Sequence, residues 1–238
     1  MAIQAPSLAN LNLLDFGEKM RELTAADLNL FHIDLMDGHY VPNLCLPACV
    51  VRDIKRDYPD VKLDVHLMVD NPEDYVDLLA ADGADYLSFH VDSTRFTRRL
   101  LRVIRAKGMK AGVVINPSQP VDVIKPFAAD LDYVTLMAVE PGFAGQRCID
   151  GTVQRVGELS GLRRELGADF QIFMDGGMSY GVIEACVKNG ADVIITGIYA
   201  IFEQPDGISG AAQRFRRTME EIACGEREEI KGETAWTN

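Results

Sequence analysis

Leu30-Phe31-His32-Ile33-Asp34-Leu35-Met36-Asp37-Gly38 reads as a buried strand running into a turn, with two polar side chains set among apolar ones. His32 and Asp34 stand two residues apart, so on a strand they project from one face while Phe31, Ile33 and Leu35 take the other. An imidazole and a carboxylate in apolar surroundings are costly to bury unless hydrogen bonds or a cation satisfy them. More donors of the same kind are therefore expected nearby in space. Asp37-Gly38 is a turn signal that ends the strand.

The rhythm around this stretch is that of a parallel sheet. Strand-like runs bounded by turn residues occupy residues 3–8, 30–36, 61–68, 85–90, 109–115, 133–138, 170–174 and 193–196. Helix-period segments lie between them, for example over 14–23, and strand starts recur every 22 to 38 residues or so, the scale of βα units. Gly-Ala-Asp precedes two strands, at Gly83-Ala84-Asp85 and Gly190-Ala191-Asp192, as a helix stop and αβ turn. Eight such units predict a single-domain α/β fold, a closed (β/α)₈ TIM barrel over residues 1–223, with a polar C-terminal tail over 224–238. An open doubly wound sheet is the alternative. In a barrel the chemistry sits at the C-terminal ends of the strands.

Composition agrees with a globular chain. Of 238 residues, 47% are hydrophobic and 25% charged, and 24 Lys+Arg against 36 Asp+Glu give a net charge of -12. That balance argues against broad binding to nucleic acid or anionic membrane, and an anionic substrate would need local help. No apolar run is long enough to span a bilayer and the N-terminus lacks the regions of a signal peptide, so a cytoplasmic location is expected. Cys45, Cys49, Cys148, Cys186 and Cys224 are scattered, without a Cys-x-x-Cys pair, and read as reduced thiols. Barrels with apolar outer helices often associate, so a homo-oligomer is expected.

Within the barrel frame, the first strand ends at Ser7, the second at His32 and Asp34, the third at His66, the fourth at His90 and the seventh at Asp175. His32, Asp34, His66 and Asp175 form a donor set suited to one divalent ion, with Zn²⁺, Fe²⁺, Mn²⁺ and Co²⁺ all open. His90 alone, like Asp64 and Asp70, is read as a structural or solvated group. Met36, Met68 and Met137 each follow an apolar run and serve as core filler or as polarizable caps on a cavity. Glycines cluster after the last three strands, in Pro141-Gly142-Phe143-Ala144-Gly145-Gln146, Gly176-Gly177 and Gly197. Backbone N–H groups can converge there on a phosphate without side chains in the way.

Several stretches resemble the ribulose-phosphate 3-epimerase family. They are Ala5-Pro6-Ser7-Leu8, His32-Ile33-Asp34-Leu35-Met36-Asp37-Gly38-His39-Tyr40-Val41-Pro42-Asn43, Leu63-Asp64-Val65-His66-Leu67-Met68-Val69, Met137-Ala138-Val139-Glu140-Pro141-Gly142-Phe143-Ala144-Gly145-Gln146 and Met174-Asp175-Gly176-Gly177, in order over about residues 5–202. Ala144 gives the loop the look of the D-allulose-6-phosphate 3-epimerase branch. The resemblance implies a metal-dependent isomerase that inverts C3 of a ketose phosphate, D-ribulose 5-phosphate/D-xylulose 5-phosphate or D-allulose 6-phosphate/D-fructose 6-phosphate. It implies metal ligands at His32, Asp34, His66 and Asp175, with proton transfer by Asp34 and Asp175 through an enediolate. It implies substrate contacts at Ser7, His66, Met36, Met68 and Met137, and at Gly142, Phe143, Ala144, Gly145, Gly176, Gly177, Gly197 and Ile198.

Three positions depart from that pattern. Leu8-Ala9-Asn10-Leu11 replaces the usual Leu-Ser-Ala-Asp, Phe173 stands where an acid is common, and Ile198 stands where Ser or Thr is usual. Phe173 and Ile198 motivate a second reading, a catalytically silent phosphosugar-binding barrel. A third, a phosphate-binding barrel decarboxylase of the orotidine monophosphate type, expects a lysine on the third strand, where Asp64-Val65-His66-Leu67-Met68 has none.

Overall fold

The computed structural model of the chain describes residues 1–225. Eight parallel strands alternate with helices in one closed layer: β1 (Ile3–Pro6), β2 (Leu30–Met36), β3 (Lys62–Met68), β4 (Tyr86–His90), β5 (Lys110–Ile115), β6 (Tyr133–Met137), β7 (Gln171–Asp175) and β8 (Val193–Thr196). Each strand pairs in parallel with its sequence neighbour from β2 to β8, β8 pairs with β1, and a parallel bridge between Ser7 and His32 closes the ring. Closure rules out the open sheet. It also draws the end of β1 against the middle of β2, which matters below.

The helices are α1 (Phe16–Ala25), α2 (Cys49–Asp57), α3 (Val76–Asp82), α4 (Thr97–Ala106), α5 (Thr152–Glu165), α6 (Tyr180–Lys188) and α7 (Gly207–Cys224). Between β5 and β6 the expected helix is a 3₁₀ segment, Val121–Asp130, interrupted by Pro126. Proline removes a backbone donor and clashes with the preceding turn, so an α-helix does not propagate through it. The polar tail expected over 224–238 lies, beyond Gly225, outside the described residues.

Alternation along the strands sorts side chains as their period requires. Phe31, Ile33 and Leu35 join the large apolar layer between barrel and helices, with Val65, Leu67, Leu87 and Phe89. Inside the barrel, Ala5, Leu30, Tyr133, Phe173, Val193 and Ile195 form a separate apolar plug, in which the Tyr133 and Phe173 rings lie 4.6 Å apart. Phe173, where an acid was the family pattern, is thus part of the barrel floor.

The Gly-Ala-Asp repeats have a physical reason. Gly83 ends α3 in the left-handed conformation, at φ 94°, where a residue without Cβ is unstrained. The following aspartate then ties the new strand to its neighbour: Asp85 accepts from Leu63 N at 3.0 Å and Asp192 from Ile172 N at 2.8 Å. Asp132 does the same for Ala111 N at 3.0 Å. Cations satisfy the same carboxylates, Lys55 on Asp85, Lys110 on Asp132 and Arg163 on Asp192.

Candidate metal centre and sugar-phosphate cavity

Because β2 and β3 pair in register, Asp34 sits beside His66 and His32 beside Asp64. β7 enters from across the ring and brings Asp175. The four groups predicted from sequence converge: one ligand atom from each of His32, Asp34, His66 and Asp175 lies within 4.8 Å of the others. Both imidazoles approach the carboxylates evenly. His32 Nε2 and His66 Nδ1 are each 3.3 Å from Asp34 Oδ1 and 3.8 Å from Asp175 Oδ2.

These two nitrogens are buried and have no hydrogen-bond partner. Unpaired buried polar atoms are rare because each forfeits its hydration. Here two of them face the same point as two carboxylates, which is the arrangement a divalent cation would satisfy. Electrostatics agree. Burial disfavours the His32 cation, yet Asp34 and Asp64 together hold the ring's pKa well above its ordinary value, so the corner attracts positive charge. Asp34 is likewise opposed by burial but held far below the usual carboxylate range by His32 and His66. Asp175 is pushed up to about 6, by burial and by Asp34, against the pull of both imidazoles.

Each imidazole is held from behind. His32 Nδ1 donates to Asp64 Oδ2 at 2.7 Å, and Tyr133 Oη donates to Asp64 Oδ1 at 2.7 Å. A carboxylate that orients a histidine in this way fixes which nitrogen is free to bind a metal. Tyr133 reaches Asp64 only because Gly112 faces it across β5 and β6, since a Cβ there would stand 2.5 Å from the phenol ring. His66 Nε2 meets His90 Nε2 at 2.9 Å, and burial followed by His66 itself keeps the His90 pKa well below its ordinary value. Ser7 Oγ donates to Asp34 Oδ2 at 2.7 Å, using the closure of β1 on β2.

Above the four groups opens a cavity of roughly 160 Å³. Ser7, Asp34, Asp175, Met36, Met68 and Met137 line its floor and walls; Gly142 through Gly145, Gly176, Gly177, Gly197 and Ile198 line its far side. His32 and His66 lie fully buried beneath it. The loop after β6 is tethered over the opening, with Asn43 Nδ2 donating to Gly142 O at 2.7 Å and Tyr199 Oη to Gly145 O at 2.6 Å. Gly177 has φ 62°, and a Cβ on it would come within 2.3 Å of Cys148 N, so the two glycine loops touch through bare backbone. Asp37 closes the turn after β2, accepting from His39 N and Tyr40 N, and also from Asp70 N of the β3 loop. His39 points to solvent. A larger recess of about 420 Å³ opens at the other end of the barrel, lined by Met1, Leu30, Phe215 and Met219 among others. Among the described residues the only group of metal-capable donors is the one at the first cavity.

Residues 3–202 match the model of the "Ribulose-phosphate 3 epimerase family". A ribulose-phosphate 3-epimerase of Bacillus subtilis is 36% identical over 203 residues, covering 85% of this chain and 93% of that protein. This chain belongs to the ribulose-phosphate 3-epimerase family. Another relative of that name, from Methanocaldococcus jannaschii, is 34% identical over 201 residues, covering 83% of this chain and 84% of its own length. Family members so named are epimerases, of the isomerase class. Solved structures share the barrel at low identity: 3-hexulose-6-phosphate synthase from Salmonella typhimurium (TM-score 0.68, 18% identity, 93% of this chain and 99% of that one) and KGPDC from Streptococcus mutans (TM-score 0.68, 14% identity, 93% and 99%). At such identity they speak for the fold alone. No helix among the described residues is long and apolar enough to cross a membrane.

The groups that sequence left unassigned are those behind the histidines. Asp64 carried a signal, since it shares the inward face of β3 with His66 two residues on. Tyr133 and Gly112 carried none, because their role exists only once β3, β5 and β6 are side by side.

Proposed function

We propose that this chain is a divalent-metal-dependent ketose-phosphate 3-epimerase. The carrying observation is the convergence of two unpartnered imidazole nitrogens and two carboxylates at the floor of a cavity whose far side is lined by glycine loops. His32, Asp34, His66 and Asp175 would hold the ion, and Zn²⁺, Fe²⁺, Mn²⁺ and Co²⁺ all suit the donor set. Bound there, the ion would supply Lewis-acid stabilisation for negative charge developing on the sugar oxygens during enolisation.

The chain's own residues account for the rest. Removal of the C3 proton by one aspartate as a carboxylate, and delivery of a different proton to the opposite face by the other as a carboxylic acid, inverts the centre; the direction of reaction decides which of Asp34 and Asp175 is the base. Ser7 keeps Asp34 oriented through its 2.7 Å hydrogen bond. Met36, Met68 and Met137 give the reacting carbons a soft apolar wall. Gly142 through Gly145, Gly176, Gly177, Gly197 and Ile198 offer backbone donors to the phosphate, which lets an acidic protein hold an anion. Phe143, half exposed at the mouth, shields the reacting carbons from water. Exposed Leu13, Leu14 and Leu44 supply apolar surface for the homo-oligomer expected from sequence, which sedimentation would decide.

The test is incubation of the metal-loaded protein in heavy water with pentulose 5-phosphates and hexulose 6-phosphates, each with Zn²⁺, Fe²⁺, Mn²⁺ and Co²⁺. Deuterium at C3 together with formation of the C3 epimer is the expected result, and the panel reads chain length and ion preference separately. Binding without C3 exchange for every substrate would leave a silent phosphosugar-binding protein and overturn the proposal.

A further inference from the structure

The two imidazoles of the metal centre are supported unequally. His32 leans on a carboxylate, whereas His66 leans on another imidazole at 2.9 Å. Two ring nitrogens facing at that distance share one proton, so one donates and the other accepts. Which way the bond runs is set behind His90, by residues that the epimerase reading does not use.

The chain starts at Asp92, an exposed carboxylate after β4 that can only accept. Tyr40 Oη donates to Asp92 Oδ1 at 2.9 Å and Gln119 Nε2 donates to Asp92 Oδ2 at 2.9 Å. With its one hydrogen committed, the Tyr40 hydroxyl accepts from Asn116 Nδ2 at 2.8 Å. Burial, with Asp92 adding to it against Asn116, pushes the phenol pKa well above its ordinary value, so it stays protonated. Asn116 is itself pinned: its N donates to Gln119 Oε1 at 2.9 Å and its O accepts from Arg155 Nη2 at 2.9 Å.

The Asn116 amide nitrogen is committed to Tyr40, which leaves the oxygen as the atom that acts on His90. Asn116 Oδ1 and His90 Nδ1 are both buried with no other hydrogen-bond partner, and the Asn116 side chain lies close enough to His90 to act on its ring, so each is the other's available partner. An amide oxygen cannot donate, which places a hydrogen on His90 Nδ1 and leaves His90 Nε2 to accept. His66 must then donate from Nε2. Its Nδ1 keeps a free lone pair, aimed at the point shared with Asp34 and Asp175.

We propose that Asp92, Tyr40, Asn116 and His90 form a directional hydrogen-bond chain that fixes His66 in the one neutral tautomer able to ligate a divalent cation. All four are positioning residues. The proposal rests on the metal reading above but concerns residues up to a surface carboxylate away from the cavity floor. Tyr40 has a second part in it, since its ring packs on His90 with centroids 4.5 Å apart.

The experiment uses ¹⁵N-labelled imidazole NMR on the metal-free full chain, with Co²⁺ affinity read by competition against a chromophoric chelator. In the wild type, His66 should carry its proton on Nε2 and none on Nδ1. Tyr40→Phe keeps the stacked ring and removes only the hydroxyl; Asn116→Leu removes the acceptor. Both should scramble the His66 tautomer and weaken Co²⁺ about 10- to 100-fold, the usual range for losing such an outer partner. Asn116→Asp, which keeps an acceptor toward His90, should recover most of the loss seen with leucine. A wild-type His66 protonated on Nδ1, or both variants binding Co²⁺ as tightly as wild type, overturns the relay alone. Absence of Co²⁺ binding by the wild type overturns the metal reading and this proposal with it.

Discussion

Asp34 and Asp175 are the same residue type, both buried and both facing the same two imidazoles, yet the two sides of the cavity treat them differently. On the β2 side Asp34 receives Ser7 Oγ at 2.7 Å and lies 3.3 Å from each ring nitrogen. On the β7 side Asp175 stands 3.8 Å from those nitrogens, followed by Gly176 and Gly177, which bring no side chains. The first carboxyl is accordingly held far below its ordinary range and the second is pushed up to about 6. Burial raises both acids, and the neighbours decide where each one ends.

The largest effect should come from erasing either side. On the proposed function, Asp34→Asn or Asp175→Asn would remove a metal ligand and a proton carrier together, so turnover should drop by at least about 10²- to 10⁴-fold, the range for general acid–base contributions. Steady-state kinetics near wild type for either variant would break the paired-acid account.

A subtler cut falls on the β2 side alone. Ser7→Ala strips the hydroxyl from Asp34; hydrogen bonds to charged groups contribute about 1.5–3 kcal/mol, so turnover should fall roughly 10- to 100-fold. In the metal-free protein the Asp34 titration should move up toward that of Asp175. If carboxyl NMR finds Asp34 unmoved, Ser7 adds nothing to the hold that His32 and His66 have on it.

Gly112→Ala tests the same side at longer range. The added methyl collides with Tyr133 and so pulls on Asp64 and His32, and overpacking of this kind costs about 1–3 kcal/mol. Thermal denaturation should show the loss, with Co²⁺ affinity falling in parallel; an unchanged melting point would mean that Tyr133 is not held against Gly112.

The smallest effect concerns protons. A carboxyl raised to about 6 is mostly protonated below that pH, and the ion needs its carboxylate. Metal affinity should therefore weaken as pH falls through 6, and ion binding near pH 6 should release protons from Asp175 and also from the raised His32. Calorimetry in buffers of different ionisation enthalpy reads that number. Zero release at pH 6 would show that neither Asp175 nor His32 carries its proton there, against both shifts.

Much of this was legible before folding. The period-2 runs located all eight strands to within a residue or two at each end, and His32, Asp34, His66 and Asp175 followed from asking which polar residues end them. What the sequence concealed was long-range support. Asp64 was visible as a polar residue on an inward face, but its partner Tyr133 lies 69 residues away and meets it only across two further strands. His90 read as an isolated strand-end histidine because Asn116 and Tyr40, which give it direction, come from the β5 end and the β2 loop. The missing helix after β5 was a local matter that Pro126 decided. Residue types and their period carry the barrel; the orientation of each ligand is a property of neighbours that only closure brings together.

Anomalous diffraction from crystals grown with Mn²⁺ or Co²⁺ tests the central claim most directly. A single strong peak within bonding distance of His32 Nε2, His66 Nδ1, Asp34 and Asp175 at the floor of the cavity is the predicted result. An ion bound elsewhere, or these four side chains bonded to one another around no peak at full metal loading, would contradict it.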